Sequence, residues 1–315
     1  MARNFPDGTW ALILGGSSGF GLATAQKLAE HGMNLLIVHR DRRAAVRAVE
    51  PEFEKLRGFG IELHTWNVDA ISPAKRELVL DEVKSLLGDE QKIKVLLHSI
   101  AFGNLKLIAP DAAGERSAGR ALAARLGVDA ETLASAADEL LDAGEAGVHP
   151  VAHAAVYPSG SYLDEDDFAR TILSMGTSLL GWTQETFERG LFAEDSRILG
   201  LTSEGNQVAW KGYAAVAAAK VSLEALCRSI AAEFGPYGIR CNVIQAGVSD
   251  TPALRAIPGS EHLKAQARLR NPGGRLTVPR DVANVVYLLS LEEAAWINGD
   301  VIRVDGGEHI SGVTP

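Results

Sequence analysis

Cysteine is nearly absent, with only Cys227 and Cys241 among 315 residues. Both lie in apolar periodic segments, so neither a disulfide framework nor a cysteine-rich metal site is indicated; no metal is expected, and the reducing cytoplasm is the expected compartment. No apolar run approaches the ~20 residues of a membrane-spanning helix. The polar opening MARNFPDGT leads straight into Trp10, without the apolar stretch that a signal peptide requires. Basic residues are outnumbered, 31 against 40 acidic, and the resulting net charge of −9 repels phosphate backbones and anionic lipid. Nucleic acid and membrane surfaces are therefore poor partners, and a small-molecule substrate is expected. Aromatic residues make up only 6%, whereas hydrophobic residues reach 46% and Ala and Gly abound. That balance suits helices packed closely on a sheet better than a β-sandwich.

Short apolar runs alternate with longer segments of helical period, the pattern of parallel strands joined by crossover helices. Strands are predicted at 10–14, 34–38, 61–66, 93–98, 196–202, 239–245 and 300–304, and helices at about 19–32, 43–57, 73–88, 165–190, 211–235 and 279–291. The fold class is thus α/β, a Rossmann-like doubly wound sheet of seven parallel strands in a single domain, 1–315. One stretch breaks the rhythm. More than sixty residues separate the fourth strand from the helix near Glu165, far beyond an ordinary strand-to-helix loop. Within it Ala112 to Leu126 and Val128 to Ala143 have helical pattern, with Asp129 as a candidate N-cap, so residues 111–160 form an inserted helical hairpin. The insertion follows the C-terminal end of a strand, where open α/β sheets bind ligands, and is expected either as an active-site lid or as a surface or oligomer contact. Residues 111–150 carry eight acidic and three basic side chains, which would repel an acidic partner.

The first strand runs into Gly15-Gly16-Ser17-Ser18-Gly19-Phe20-Gly21, which opens the first helix. Glycines there permit the tight turn and let backbone approach a pyrophosphate, and the helix N-terminus attracts the anion. The second strand ends in His39-Arg40-Asp41, where such a fold meets the adenosine ribose. A carboxylate at that end suits a 2′-hydroxyl and an arginine a 2′-phosphate, so His39 and Arg40 favour NADPH, against the alternative of Arg40 as a solvated charge. Asp41 dissents from one step further along. Asn67 and Val68 close the third strand, where a polar side chain and an apolar flank suit adenine.

Chemistry concentrates in Ser203, Tyr213 and Lys220. Seven helical steps of about 100° return Lys220 to within roughly 20° of Tyr213, so both share one face two turns apart. A phenol can donate to a developing oxyanion, and an ammonium can hold a ribose and favour the phenolate. The glycine turn, the Ser/Tyr/Lys cluster and the terminal Val304-Asp305-Gly306-Gly307 together resemble a short-chain dehydrogenase/reductase, over nearly the whole chain apart from about 106–160. In ordinary members tyrosine precedes lysine by four positions, and here that position is Val216. The Tyr-x6-Lys spacing of Tyr213 and Lys220 is instead similar to that of the enoyl-acyl carrier protein reductases.

Two further strings resemble the same branch. His98-Ser99-Ile100-Ala101 replaces the ordinary Asn-Asn-Ala-Gly, and the resemblance implies that Ser99, Ile100 and Ala101 lie beside the nicotinamide ribose, with His98 a packed residue. Ala246 to Leu254 resembles the loop of NADPH-dependent enoyl reductases, which implies Gly247, Val248 and Thr251 at the nicotinamide and pyrophosphate, Lys220 on the ribose, and a mobile substrate-binding segment at about 251–273. Ser203 stands where many enoyl reductases have a second tyrosine and where the wider family has its serine; it either bonds the substrate carbonyl or caps the strand. The resemblance implies an NADPH-dependent reductase of an activated carbon–carbon double bond, above all an enoyl thioester carried by acyl carrier protein or coenzyme A. The rivals are a carbonyl (ketoacyl) reductase or hydroxyl dehydrogenase and a catalytically silent NADPH-binding protein. It also implies a homotetramer through the helices at 165–190 and 211–235.

Overall fold

Successive side chains of a strand point to opposite faces of its sheet, and in the first strand both faces are buried. In the computed structural model, which describes residues 4–111, 117–158 and 160–312, Trp10, Leu12 and Leu14 of β1 (Thr9–Leu14) enter one core while Ala11 and Ile13 enter another. β1 is an interior strand of a sheet completed by β2 (Asn34–His39), β3 (Leu63–Asn67), β4 (Lys92–His98), β5 (Phe192–Ser203), β6 (Ile239–Ala246) and β7 (Val301–Val304). All seven are parallel, in the order β3-β2-β1-β4-β5-β6-β7, which is the expected doubly wound sheet.

Helices α1 (Gly19–Glu30), α2 (Arg43–Arg57) and α11 (Pro279–Leu289) cover one face through Leu28, Leu56 and Val286. Helices α3 (Pro73–Leu87), α7 (Ser178–Glu188) and α8 (Ala214–Phe234) cover the other through Val79, Trp182 and Leu223. The chain departs in opposite directions from β1 and β4, which are neighbours, so a crevice opens beyond their C-terminal ends.

Two long helices differ from expectation. The segment 165–190 divides into α6 (Glu165–Ile172), a wide π turn over Leu173–Thr177, and α7. There Ser174 Oγ donates to Phe102 O and Ser178 Oγ to Ser174 O, and a side chain on Gly176 would come within 2.7 Å of Ala219 O. Hydroxyls inserted into the ladder and a close crossing with α8 widen that turn. α8 starts at Ala214 rather than 211, because Gly212, at φ +72°, is in a left-handed turn just before it.

The insertion contains α4 (Ser117–Leu126) and α5 (Ala130–Asp142), and Asp129 caps α5 by accepting from Thr132 N at 3.0 Å. The start of the first expected helix, 112–116, lies outside the described residues. After β6 come a short α9 (Pro252–Arg255) and α10 (Ser260–Arg270). The hairpin packs on α10: Ala137, Leu141, Ala152 and Ala265 form one small core. Arg268 Nη1 donates to Gly144 O at 3.1 Å and His262 Nε2 to His153 O at 2.7 Å.

Candidate active site

The crevice holds a cavity of about 590 Å³ that begins at the glycine turn. A side chain on Gly15 would meet Ser99 O at 2.5 Å and one on Gly21 would meet Gly15 O at 2.1 Å. Backbone from β1, β4 and α1 therefore converges only because these positions lack Cβ atoms. Ser17, Ser18, Gly19 and Phe20 line the cavity, whereas Gly16 and Gly21 serve the packing behind it. Ser18 precedes α1 without a side-chain cap, and the first turn has no acidic residue, so the leading amides and the positive end of the helix remain for an anion. Thr251, the N-cap of α9, stands so close that a Cβ on Gly19 would meet its Cγ2 at 3.7 Å. These features fit a dinucleotide pyrophosphate.

At the end of β2, His39 is buried and its Nδ1 lies 2.7 Å from Asp41 Oδ2. That contact occupies the dissenting carboxylate. Arg40 stays half exposed at the cavity, with Nη1 3.2 Å from Asp69 Oδ2 and its guanidinium carbon 4.1 Å from the centre of the Phe102 ring. Asn67 does not line the cavity: its amide donates to Asp41 O at 3.0 Å and accepts from Asp41 N at 2.9 Å, bracing the loop that carries Arg40. Val68 does line it, beside Asp69 and Ala70.

Ser203, Tyr213 and Lys220 come together in the cavity wall. Tyr213 immediately precedes α8, and its carbonyl accepts from Ala217 N at 2.8 Å in the first turn. Its Oη lies 3.2 Å from Ser203 Oγ. Burial pushes the phenol up from its usual range and the Ser203 contact only partly opposes this, so at neutral pH Tyr213 is a proton-bearing donor. Lys220 Nζ donates to Leu201 O at 2.9 Å; an ammonium has three N–H groups, and that bond uses one. Burial lowers Lys220 to about 8, opposed by the charge of Glu224. His98 is the packed residue that was expected: it is 1% exposed, Nε2 lies 2.9 Å from Ser178 Oγ, and burial followed by the Lys220 charge lowers it to about 3.

Ser99, Ile100, Ala101, Gly247 and Val248 also line the cavity, and Leu105, Met175, Trp210, Val216, Leu254 and Ile257 make an apolar wall. Val216, at the tyrosine position of ordinary short-chain dehydrogenases, has no proton to give. Among the described residues, none from 111–160 lines the cavity; the hairpin supports α10 from outside instead.

Sequence reasoning missed three groups. A Cβ on Gly205 would fall 2.4 Å from Tyr213 Cε1, so this glycine makes room for the phenol. Arg40 stacks on Phe102, a residue that carries no motif. Glu204, Arg270 and Glu308 are joined by ion pairs of 2.8 to 3.0 Å, and both carboxylates line the cavity. Only the adjacency of Glu204 to Ser203 was visible locally.

Residues 9–109 match the family model described as short chain dehydrogenase, and residues 115–309 match the one described as Enoyl-(Acyl carrier protein) reductase. A protein named "Probable 2,4-dienoyl-CoA reductase" from Bacillus subtilis is 27% identical over 305 residues, 95% of this chain and 96% of its own. A 3-oxoacyl-[acyl-carrier-protein] reductase from Aquifex aeolicus is 23% identical over 300 residues, 95% of this chain and 97% of its own. The crystal structure of FabI from Candidatus Liberibacter asiaticus shares the fold, with a TM-score of 0.72 at 17% identity over 100% of both chains.

Proposed function

Because this chain belongs to the short-chain dehydrogenase/reductase superfamily, in the family described as enoyl-(acyl carrier protein) reductase, we propose that it is an NADPH-dependent reductase of an activated carbon–carbon double bond, with an enoyl thioester as substrate. The observation that carries this reading is the placement of Tyr213 Oη in the cavity, seven residues before Lys220, with Val216 at the alternative position. NADPH, when bound, supplies the hydride. Gly15, Ser17, Ser18, Gly19, Phe20 and Thr251 would hold its pyrophosphate. His39, Arg40 and Val68 would hold its adenosine end, and Ser99, Ile100, Ala101, Lys220, Gly247 and Val248 its nicotinamide end. Tyr213 donates from Oη to the thioester carbonyl oxygen, and that bond strengthens as negative charge gathers there, which is where it accelerates the reaction. Lys220, buried and cationic, favours the same charge. The apolar wall from Leu105 to Ile257 accepts the acyl chain and excludes water. By the same reading the protein acts in the cytoplasm as a homotetramer, on a substrate carried by coenzyme A or acyl carrier protein.

A second reading, reduction of a ketoacyl group, is favoured by the bond between Ser203 and Tyr213, which presents two hydroxyls to one carbonyl oxygen. NADPH oxidation measured in parallel with an enoyl thioester and the matching β-ketoacyl thioester separates the two. Turnover with the enoyl compound alone is expected, and turnover with the ketoacyl compound alone would transfer Tyr213 to carbonyl chemistry. In the same assay Arg40→Ala is expected to weaken NADPH by about tenfold and NADH far less, the loss of one charged contact to the 2′-phosphate. Equal weakening of both would remove the cofactor assignment.

A further inference from the structure

The tail after β7 carries a buried carboxylate into the cavity floor. Asp305 builds the turn that delivers it: Oδ1 accepts from Gly307 N at 3.0 Å and Oδ2 from His309 N at 3.1 Å, while Asn271 Nδ2 donates to Asp305 O at 2.8 Å. Glu308, between them, is 2% exposed. Its Oε2 accepts from Val248 N at 3.1 Å and its Oε1 from Arg270 Nη2 at 3.0 Å. Arg270, the last residue of α10, also grips Glu204 with Nη1 at 2.9 Å and Nη2 at 2.8 Å. Gly247 is shaped for this carboxylate, since a Cβ there would come within 2.9 Å of Glu308 Oε2 and 2.4 Å of Thr277 Oγ1.

One side chain thus touches the loop after β6, and its guanidinium partner touches the residue after Ser203 and ends the helix on which the hairpin docks. We propose that Glu308 and Arg270 are positioning residues that lock the Gly247-Val248 loop to α10, so that the nicotinamide side and the substrate side of the cavity are held in one register. This rests on the nicotinamide reading above. Both oxygens of Glu308 are committed, and a largely buried charged network of this kind is rigid when complete and costly when one member is lost. The Val248 amide hydrogen is engaged by Glu308, so it is not offered to a ligand while that bond holds. Glu308 controls the aim of that loop, and Arg270 controls where α10 stands relative to it.

The test compares Glu308→Ala, Glu308→Gln and Arg270→Lys with the unaltered protein. It uses NADPH and NADH affinity by fluorescence titration, hydrogen exchange of the 246–250 segment, and kcat and KM for an enoyl thioester. Glu308→Ala is expected to weaken NADPH by about tenfold, because the Gly247-Val248 loop loses its charge-assisted tether, and to speed exchange at Val248. Glu308→Gln keeps an acceptor for Val248 N and is expected to recover most of that affinity. Arg270→Lys, which has no fork, is expected to raise thioester KM with NADPH affinity nearly unchanged. If Glu308→Ala fails to fold, Glu308→Gln still reports the tether through faster exchange at Val248, and Arg270→Lys still reports the α10 side through thioester KM. Variants indistinguishable from the parent, or a Gln variant no better than Ala, overturn the lock while leaving the reductase reading intact. A parent protein that binds neither nucleotide overturns that reading and the lock together.

Discussion

Tyr213 and Lys220 are both buried in the wall of one cavity but their pKa values shift in opposite directions, and that difference governs the chemistry. Burial favours the uncharged state of each, so the phenol keeps its proton above its ordinary range while the ammonium gives its proton up at about 8. Between neutrality and that value the pair presents a donor hydroxyl and a cation. Above it the amine becomes neutral and the carbonyl oxygen loses a stabilising charge. The value of kcat/KM, which reports the free enzyme's groups, is therefore expected to fall as pH rises through about 8, read from its pH profile in the unaltered protein. Tyr213→Phe keeps the ring that packs 5.1 Å from Trp210 and removes only the donor. It is expected to lower kcat by about a hundredfold or more with NADPH affinity unchanged, checked by steady-state kinetics beside a binding titration.

At the scale of elements, the regular parts of the chain were legible because their periods are local. The short apolar run of β1 buries side chains on both faces, the helical stripe of α1 buries one, and the glycine turn between them sits where a strand hands over to a helix. The hairpin was readable from loop length and from Asp129, whose capping bond is present. What it covers was not readable, because the contact is made with α10, more than a hundred residues away, by small residues that carry no motif. The same reason hid Glu204, Arg270 and Glu308: each looks like a surface charge until the fold joins them. The π turn escaped because the period of 165–190 is unbroken, and the Ser174 and Ser178 hydroxyl bonds together with the crossing with α8 widen it. The docking has a consequence for substrate. Leu141 is 5% exposed in the small core shared with Ala265, and replacing it with alanine is expected to cost about 2 kcal/mol of local packing. Since α10 follows the cavity wall at Leu254 and Ile257, this is expected to raise thioester KM several-fold and leave NADPH affinity within about twofold. Parallel titrations check it, and equal losses would detach the hairpin from the substrate side.

For the whole molecule, the sheet's centre is where electrostatics reach stability. His98 ends β4 beneath the site, within the field of Lys220 and joined to Ser178 on α7, so it ties the sheet to the helical layer. It stays neutral in the folded chain down to about pH 3, first because burial penalises its charge and second because Lys220 repels it. In the unfolded chain the same imidazole takes up its proton near pH 6.5. Between those values the unfolded state binds one more proton than the folded state, and stability falls by about 1.4 kcal/mol for each pH unit of acidification. Below about pH 3 both states are protonated and this loss stops growing. Carboxylates also weaken the fold in acid, but they do so in any variant and cancel in a comparison. His98→Asn retains a hydrogen-bonding group for Ser178 and removes the titration. Its unfolding free energy, measured by denaturant between pH 6 and pH 4, is expected to decline less steeply than the parent's by one proton's worth of slope. Parallel curves would mean that His98 accepts its proton without leaving the fold, and the acid sensitivity of the molecule would then lie in its carboxylate pairs.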